Sequence, residues 1–408
     1  MQVRTLKKIS KRWLGLFALA SAIATTPARA QLADFSIAGH DVVMHGFLAE
    51  GYLKSDGNNF LTAQTGAGTF QDAEGALNIA TNLTDQLHIG AQVYARDIGR
   101  LGAGKPQLDW AYADYKIKDW LGFRGGKVKT PLGLYNDTQD MEFLYPWVLL
   151  PQSMYPADLR SLTIAHTGGD IYGSIGLGKA GSVSYQGYGG TKPVDMQGGF
   201  LYGLQASGFT NIKYSGTEAG YDVRWKTPAK GLQVGTSYMW SDTPILASLH
   251  AGKALLPGSA DMQSYQYAGY GEYRYRGLTL ATEYRPESRN TPLVFNPLQA
   301  VRAAEYRSYF ASAAYRFNKW LQLGTYNSRF QFNANVVPGL LAGADSHIDD
   351  QTVTARFDFW KYCDLKVEGH FMNGVGSSIS THGFYPSDNP QGLKPNTKLL
   401  AIRLGFNL

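Results

Sequence analysis

The chain has 408 residues, of which 44% are hydrophobic, 13% aromatic and 17% charged, with a formal net charge of +6. That excess lies in the first thirty residues, where Arg4, Lys7, Lys8, Lys11, Arg12 and Arg29 have no acidic counterpart; 32 acidic residues balance the bases of the remainder. A neutral mature chain argues against a nucleic-acid partner, the single Cys363 excludes an intramolecular disulfide, and no later run of about eighteen apolar residues offers a membrane helix.

Residues 1–30 read as a signal peptide: a basic start, apolar Trp13 to Ala24, and Ala28-Arg29-Ala30 as the cleavage site before Gln31. The remainder, 31–408, reads as a single domain. From Val42 onward, apolar and polar residues alternate in about 16 stretches of roughly nine to fourteen residues, the length of a tilted strand crossing a bilayer. Short connections fall at Thr84-Asp85, Lys118-Asp119-Trp120, Gly178-Lys179-Ala180-Gly181, Pro228-Ala229-Lys230-Gly231, Arg276-Gly277, Asn318-Lys319-Trp320 and Trp360 to Cys363. They alternate with connections of about nine to thirty residues, as in bacterial outer-membrane barrels. The expected fold is all-β: a transmembrane antiparallel β-barrel with short periplasmic turns and long extracellular loops. Loops near Asn58, Thr217, Leu255 and Asn335 are expected outside, and turns near Asp119, Lys230 and Lys319 in the periplasm.

Successive side chains of a strand point to opposite sides, so faces can be assigned. Leu87, Ile89, Ala91 and Val93 oppose His88, Gly90, Gln92 and Tyr94; Leu232, Val234, Thr236 and Tyr238 oppose Gln233, Gly235 and Ser237. The pattern recurs in Tyr221-Val223-Trp225, Leu278-Leu280-Thr282-Tyr284, Val353-Ala355-Phe357-Phe359 and Leu365-Val367-Gly369-Phe371. The apolar face should meet lipid and the charged face water. Prolines after residue 30 are expected outside strand interiors, because proline cannot donate to a ladder. The last stretch, Leu400, Ile402, Leu404, Phe406 and Leu408 against Ala401, Arg403, Gly405 and Asn407, reads as the C-terminal strand recognised by the barrel-assembly machinery.

By this parity the lumen wall carries Lys54, Arg96, Lys116, Arg124, Arg224, Lys226, Arg274, Arg285, Arg316, Arg356, Lys366 and Arg403. Facing them are Glu50, Asp72, Glu74, Asp114, Asp170, Asp222, Glu272, Glu283, Asp358 and Glu368. Opposite charges two residues apart, as in Asp114/Lys116, Asp222/Arg224, Glu272/Arg274, Glu283/Arg285, Arg356/Asp358 and Lys366/Glu368, read as a mutually compensating wall around water. A filter of one sign is the alternative.

Several motifs are set aside. Gly173 to Ala180 approaches a phosphate loop, but Ala180 stands where a hydroxyl is needed and the context is a hairpin. Asp56-Gly57-Asn58-Asn59 reads as turn chemistry, not a calcium loop. The histidines show no ligand spacing, so no metal and no cofactor are expected. His370 near Glu368 is the nearest catalytic candidate and reads as a lumen residue.

The connection after the fifth stretch is exceptional. Lys127-Val128-Lys129-Thr130-Pro131 leads into Leu132 to Leu162, which holds Asp137, Asp140, Glu142, Asp158 and Arg160 among many apolar residues. Connections beyond about fifteen residues are uncommon and usually functional. Phe143-Leu144-Tyr145 and Pro146-Trp147-Val148-Leu149-Leu150 are too apolar for a solvated loop, so 130–162 is expected to fold into the lumen. Gly126 to Tyr135, followed by Pro146-Trp147 and Leu149-Leu150-Pro151-Gln152-Ser153, resembles porins related to the phosphate-selective porin O/P group. His45-Gly46-Phe47 with Gly51-Tyr52-Leu53-Lys54 is similar too. The resemblance implies a water-filled, trimeric porin with an inward-folded loop; no arginine or lysine ladder can be matched that would carry phosphate selectivity over.

The expected function is therefore a passive outer-membrane channel for small hydrophilic solutes, without catalysis and with anionic solutes as one option. Its constriction is expected from Arg124, Lys127, Lys129, Asp137, Asp140, Glu142 and Arg160. Lys127, Lys129 and Arg160 would attract anions, and Asp137, Asp140 and Glu142 cations. The partners are the outer-membrane bilayer, the solutes, the assembly machinery and two further copies of the chain. A lipid-hydrolysing barrel enzyme and a closed receptor or adhesin are the alternatives.

Overall fold

The computed structural model describes residues 33–37, 39–251, 254–295, 298–335, 347–376 and 382–407. The signal segment with its cleavage site, Leu408 and the centre of the loop after Asn335 lie outside them. The strands in chain order are β1 (Ala33–Ile37), β2 (His40–Asp56), β3 (Ala73–Asn82), β4 (Leu87–Asp97), β5 (Gln107–Lys118) and β6 (Leu121–Lys129). They continue as β7 (Ala165–Gly176), β8 (Ser182–Thr191), β9 (Phe209–Tyr214), β10 (Thr217–Lys226), β11 (Leu232–Ala251) and β12 (Ala254–Tyr275). The last are β13 (Leu278–Phe295), β14 (Leu298–Arg316), β15 (Leu321–Asn335), β16 (His347–Trp360), β17 (Cys363–Asn373) and β18 (Asn396–Asn407). Two helices, α1 (Arg160–Thr163) and α2 (Gly199–Ala206), lie in connections.

Every pairing is antiparallel, and the sheet closes where β18 pairs β2 from Asn407↔Phe47 to Lys398↔Asp56. β9 and β10 form one interrupted strand beside β11, through Tyr214↔Ile245 and Thr217↔Asp242. β1 pairs with the base of β2 from Ala33↔Met44 to Ile37↔His40. The result is a closed barrel of 16 strands.

The short connections fall where turn chemistry places them. Arg276 and Gly277 both hold positive φ, 46° and 84°, which a two-residue type I′ hairpin requires. At the next turn the Asn318 side-chain oxygen accepts the N–H groups of Trp320 and Leu321, each at 2.9 Å, an Asx turn. Outward side chains over these strands are large and apolar, among them Leu77, Val93, Phe123, Ile171, Tyr221 and Val353. Exposed Trp120, Trp225, Tyr315, Trp320 and Trp360 ring the short-turn rim, and Tyr265, Tyr267, Tyr284 and Tyr309 stand further up the wall. These are the aromatic belts of a membrane barrel.

The long-loop rim departs from expectation. Leu255 and Thr217 are strand residues, paired with His250 and with Asp242 and Thr191. β11 and β12 run to 20 and 22 residues and turn at Ala251↔Ala254. The hairpin continues beyond the span a bilayer needs. Pro244, Pro257, Pro286 and Pro292 consequently lie within strands. Pro286 and Pro292 stand where the β12–β13 ladder lapses, between Gln266↔Glu287 and Gly269↔Tyr284 and between Ala260↔Leu293 and Gln263↔Asn290. Pro244 faces the break between β9 and β10, where Ser215 N–H reaches its carbonyl. The missing donors of Pro244, Pro286 and Pro292 thus sit at ladder interruptions.

Lys54 and Glu50 also face outward, opposite Leu400 and Leu404. Gly51 and Leu53 face inward instead, opposite Arg403 and Ala401. Leu53 packs there with Phe60, Leu61, Val148, Leu149, Phe330, Met372 and Phe384. This part of the barrel interior is an apolar core, so the rule that apolar side chains meet lipid reverses.

Candidate functional site

The connection from Thr130 to Ile164 runs across the barrel interior and is held by inward side chains from much of the circumference. Gly133 comes first, at φ 73°, where a Cβ would lie 2.1 Å from Glu283 Oε1 and 2.6 Å from an Arg285 nitrogen. Only glycine admits this approach. Its N–H donates to Ser237 Oγ at 2.7 Å, and Leu134 N–H donates to Glu283 Oε2 at 3.0 Å. Arg285 returns donors to the Met154 and Leu132 carbonyls. Tyr155 donates to Glu283.

Further along, Arg356 donates to the Phe143 and Tyr145 carbonyls at 2.5 and 3.0 Å, and Lys366 to the Glu142 carbonyl at 2.8 Å. Thr354 donates to the Pro146 carbonyl at 3.1 Å. The N–H groups of Val148 and Leu149 both end on Glu368, at 3.0 and 2.9 Å. A connection without a ladder must satisfy its buried backbone in this way. Its apolar side chains, including Leu134, Tyr135, Trp147 and Met154, pack on Tyr270, Phe310 and Tyr326 of the wall.

Each charged residue singled out in this connection has a defined place. Asp137 pairs with Arg224 at 3.2 Å. Asp140 accepts Lys129 Nζ at 2.7 Å and Gln92 at 2.8 Å. Glu142 pairs with Arg403 at 2.8 Å, beside Asp72 and Glu74 on the same guanidinium. Arg160 grips Asp109 with both terminal nitrogens, at 2.9 and 2.8 Å, and lies over the Tyr94 ring. Among the described residues Lys127 reaches only the Leu108 carbonyl, at 2.5 Å, and Arg124 pairs with Asp114 at 2.9 Å against Tyr172. Apart from Lys127, these charges form cation–anion couples, not a ring of one sign.

On the wall, Arg224/Asp222, Arg274/Glu272, Arg285/Glu283 and Arg356/Asp358 pair two residues apart. Two expected couples exchange partners. Lys116 pairs with Asp119, and Lys366 lies 3.9 Å from Asp364 while Glu368 holds the loop. Asp109 was hidden from periodicity by a bulge: the register shifts between Gln92↔Trp110 and Val93↔Leu108 and leaves it unpaired.

Two buried histidines pin the connection. At its root, His166 bonds Asp170 at 2.8 Å and Thr130 Oγ1 at 3.0 Å, and Thr130 donates to Glu218 at 2.9 Å. The trio resembles a hydroxyl–imidazole–carboxylate relay, but His166 is 0% and Thr130 1% exposed, so no substrate reaches it. At the far side, His370 lies between Asp350 and Glu368 at 2.9 and 3.0 Å and is equally buried. Asn58 and Asn59 spend their amides on Lys394, Thr397, Asp388 and Gly66, knitting two loops over the long-loop rim. In the same rim His382 lies over the Phe330 ring, and burial depresses its pKa to about 4. Open polar surface remains toward the short turns, where Arg274 is 61% exposed and Lys116 53%. Cys363 starts β17 as a half-buried free thiol.

No protein-family model matches the chain, and no curated protein is similar to it. Solved structures are. The outer-membrane channel DcaP of Acinetobacter baumannii superposes with a TM-score of 0.57 at 12% identity, covering 92% of this chain and 100% of that one. Salmonella typhi OmpF, in complex with daunomycin, gives 0.56 at 13%, covering 92% and 100%. The trimer form of OmpT, an outer-membrane protein of Vibrio cholerae, gives 0.55 at 11%, covering 90% and 99%. The fold is that of the outer-membrane porins.

Proposed function

We propose that this protein is an outer-membrane porin, a passive diffusion channel for small hydrophilic solutes that catalyses no reaction. The supporting observation is the connection 130–164, whose carboxylates Asp137, Asp140 and Glu142 meet Arg224, Lys129 and Arg403 from separate parts of the wall. A side-chain network that fixes one segment across a lumen narrows it without closing chemistry around a substrate. We read Arg124, Lys127, Lys129, Asp137, Asp140, Glu142 and Arg160 as the constriction, and Arg224, Arg274, Arg285, Arg356 and Lys366 as the lumen wall. Opposed charges across a narrow, low-dielectric passage favour dipolar solutes, and unpaired Lys127 tilts it toward anions. A homotrimer in the outer membrane, reached by a signal peptide and inserted through the C-terminal strand, completes the reading; one of the superposed structures is itself a trimer form.

The test is planar-bilayer recording of the purified protein in a salt gradient. Discrete conductance steps are expected, larger after residues 139–155 are replaced by a short glycine-serine bridge. A folded barrel that never conducts would overturn the channel reading.

A further inference from the structure

A cavity of about 50 Å³ lies where the upper ends of β4 and β5 meet β6, the start of α1 and Pro193–Asp195. A single water needs roughly 10–15 Å³ on this measure, so the cavity holds about four waters or one compact ion. Arg96, Lys105, Lys127 and Arg160 line it against Asp109 and Asp195. Asp109 is committed to Arg160, and Asp195 accepts the Gln197 N–H at 2.8 Å. Arg96 is only 5% exposed, yet among the described residues it donates solely to the Ala157 carbonyl and to Ser161 Oγ. Neither it nor Lys127 has a carboxylate within 4.0 Å among the described residues. The Nε of Arg160, 7% exposed as a residue, is buried without a hydrogen-bond partner among the described residues. Burying a cation without a counter-charge, or a donor nitrogen without an acceptor, is costly.

We propose that this cavity binds a small oxyanion, a phosphate or carboxylate group, between Arg96, Lys127 and the free Nε of Arg160, with exposed Lys105 adding attraction. Guanidinium and ammonium donors make their strongest hydrogen bonds to such oxygens. Asp109 and Asp195 limit the occupant to a single compact group. The group can belong to a free solute at the long-loop rim or to an anionic lipid headgroup, since Leu108 beside Lys127 is 49% exposed on the outer face. Either occupant would bridge the β4–β5 hairpin and the root of the inward connection, which Arg96 already joins through Ala157 and Ser161. The site stands whether or not the barrel conducts.

Calorimetric titration of the full chain, refolded in zwitterionic detergent without lipopolysaccharide, tests this with inorganic phosphate and with acetate over a chloride background. Saturable binding at one site per chain is expected, weakened about tenfold by Lys127→Gln, the worth of one charge-assisted hydrogen bond. Lys319→Gln, in a turn on the opposite rim, should change nothing. Lys127→Gln removes a side chain that holds only one carbonyl, so folding survives and circular dichroism checks it; Lys105→Gln serves as a second variant. Saturation by free phosphate or acetate assigns a solute. Saturation only by lipid A micelles, lost in the same variants, assigns a headgroup. Absence of saturable binding of every probe, or binding indifferent to both variants, overturns the site.

Discussion

The connection between β6 and β7 and the hairpin of β11 and β12 leave the same rim, yet the first turns into the barrel and the second climbs as paired strand to Ala251↔Ala254. The difference lies in how each satisfies its backbone. The hairpin bonds to itself and to its neighbours by ladder. The connection carries Pro146-Trp147-Val148-Leu149-Leu150-Pro151, which has no alternation and two residues without a donor, so it borrows Ser237, Glu283, Thr354, Arg356 and Glu368 from the wall. In this barrel the polar wall does for one segment what a neighbouring strand does for another.

That comparison can be broken most decisively at Arg403. Arg403→Met leaves Asp72, Glu74 and Glu142 without their shared cation and should cost about 3–5 kcal/mol in urea denaturation of the refolded protein. Arg307→Met, whose pair with Glu305 in the climbing part is 3.8 Å long and over 60% exposed on both sides, should cost under about 1 kcal/mol. Similar losses at both would mean that buried pairs do not hold the connection.

Next in size, Val234→Arg on the lipid face should destabilise assembly by roughly 2–4 kcal/mol, while Gln233→Arg, beside Glu272 on the inner face, should assemble normally. Ser237 and Thr354 share the inner face but are packed against the connection, so arginine should fail there as well. Assembly of Ser237→Arg at wild-type yield would show that the connection yields easily.

Glu368→Ala strands the Val148 and Leu149 N–H groups and should cost about 1–3 kcal/mol, with a larger or noisier single-channel conductance. Removing residues 249–256 from the hairpin tip and joining Ser248 to Pro257 should leave conductance unchanged. Matching changes in the two would erase the distinction between the regions.

The smallest effect concerns His382. Its folded pKa of about 4 lies below the ordinary 6.5, so the unfolded segment takes up the proton first. Local stability is full above pH 6.5 and declines as the pH falls toward 4. The protection of amides in 382–395, taken relative to the intrinsic exchange rate at each pH, should fall between pH 7 and pH 5 in the parent and not in His382→Gln.

Much of this was legible in the chain. Turns such as Arg276-Gly277 and Asn318-Lys319-Trp320 are local chemistry, and the faces around Val234 and Val353 follow from period two alone. Lys54 and Glu50 were misplaced because an apolar interior near Leu53 looks, in sequence, like a lipid face. The length of β11 to β14 was missed because prolines were read as strand breakers, whereas here they occupy lapses in the ladder. Asp109 was concealed by a bulge. The His166–Asp170–Thr130–Glu218 group joins residues up to 88 apart in sequence, and no periodicity brings them together.

The seam between β18 and β2 sets the timing of assembly. Asn407↔Phe47 and Lys398↔Asp56 join the last strand to β2, and Asp72–Arg403 and Asn58–Thr397 fasten the join from within. These contacts are among the most distant along the chain of the described residues, so closure must wait until β18 is available. Until then both edge strands offer unpaired backbone to any neighbour. The rate of that final closure, more than the stability of the finished barrel, should therefore govern how much of the chain aggregates before it closes.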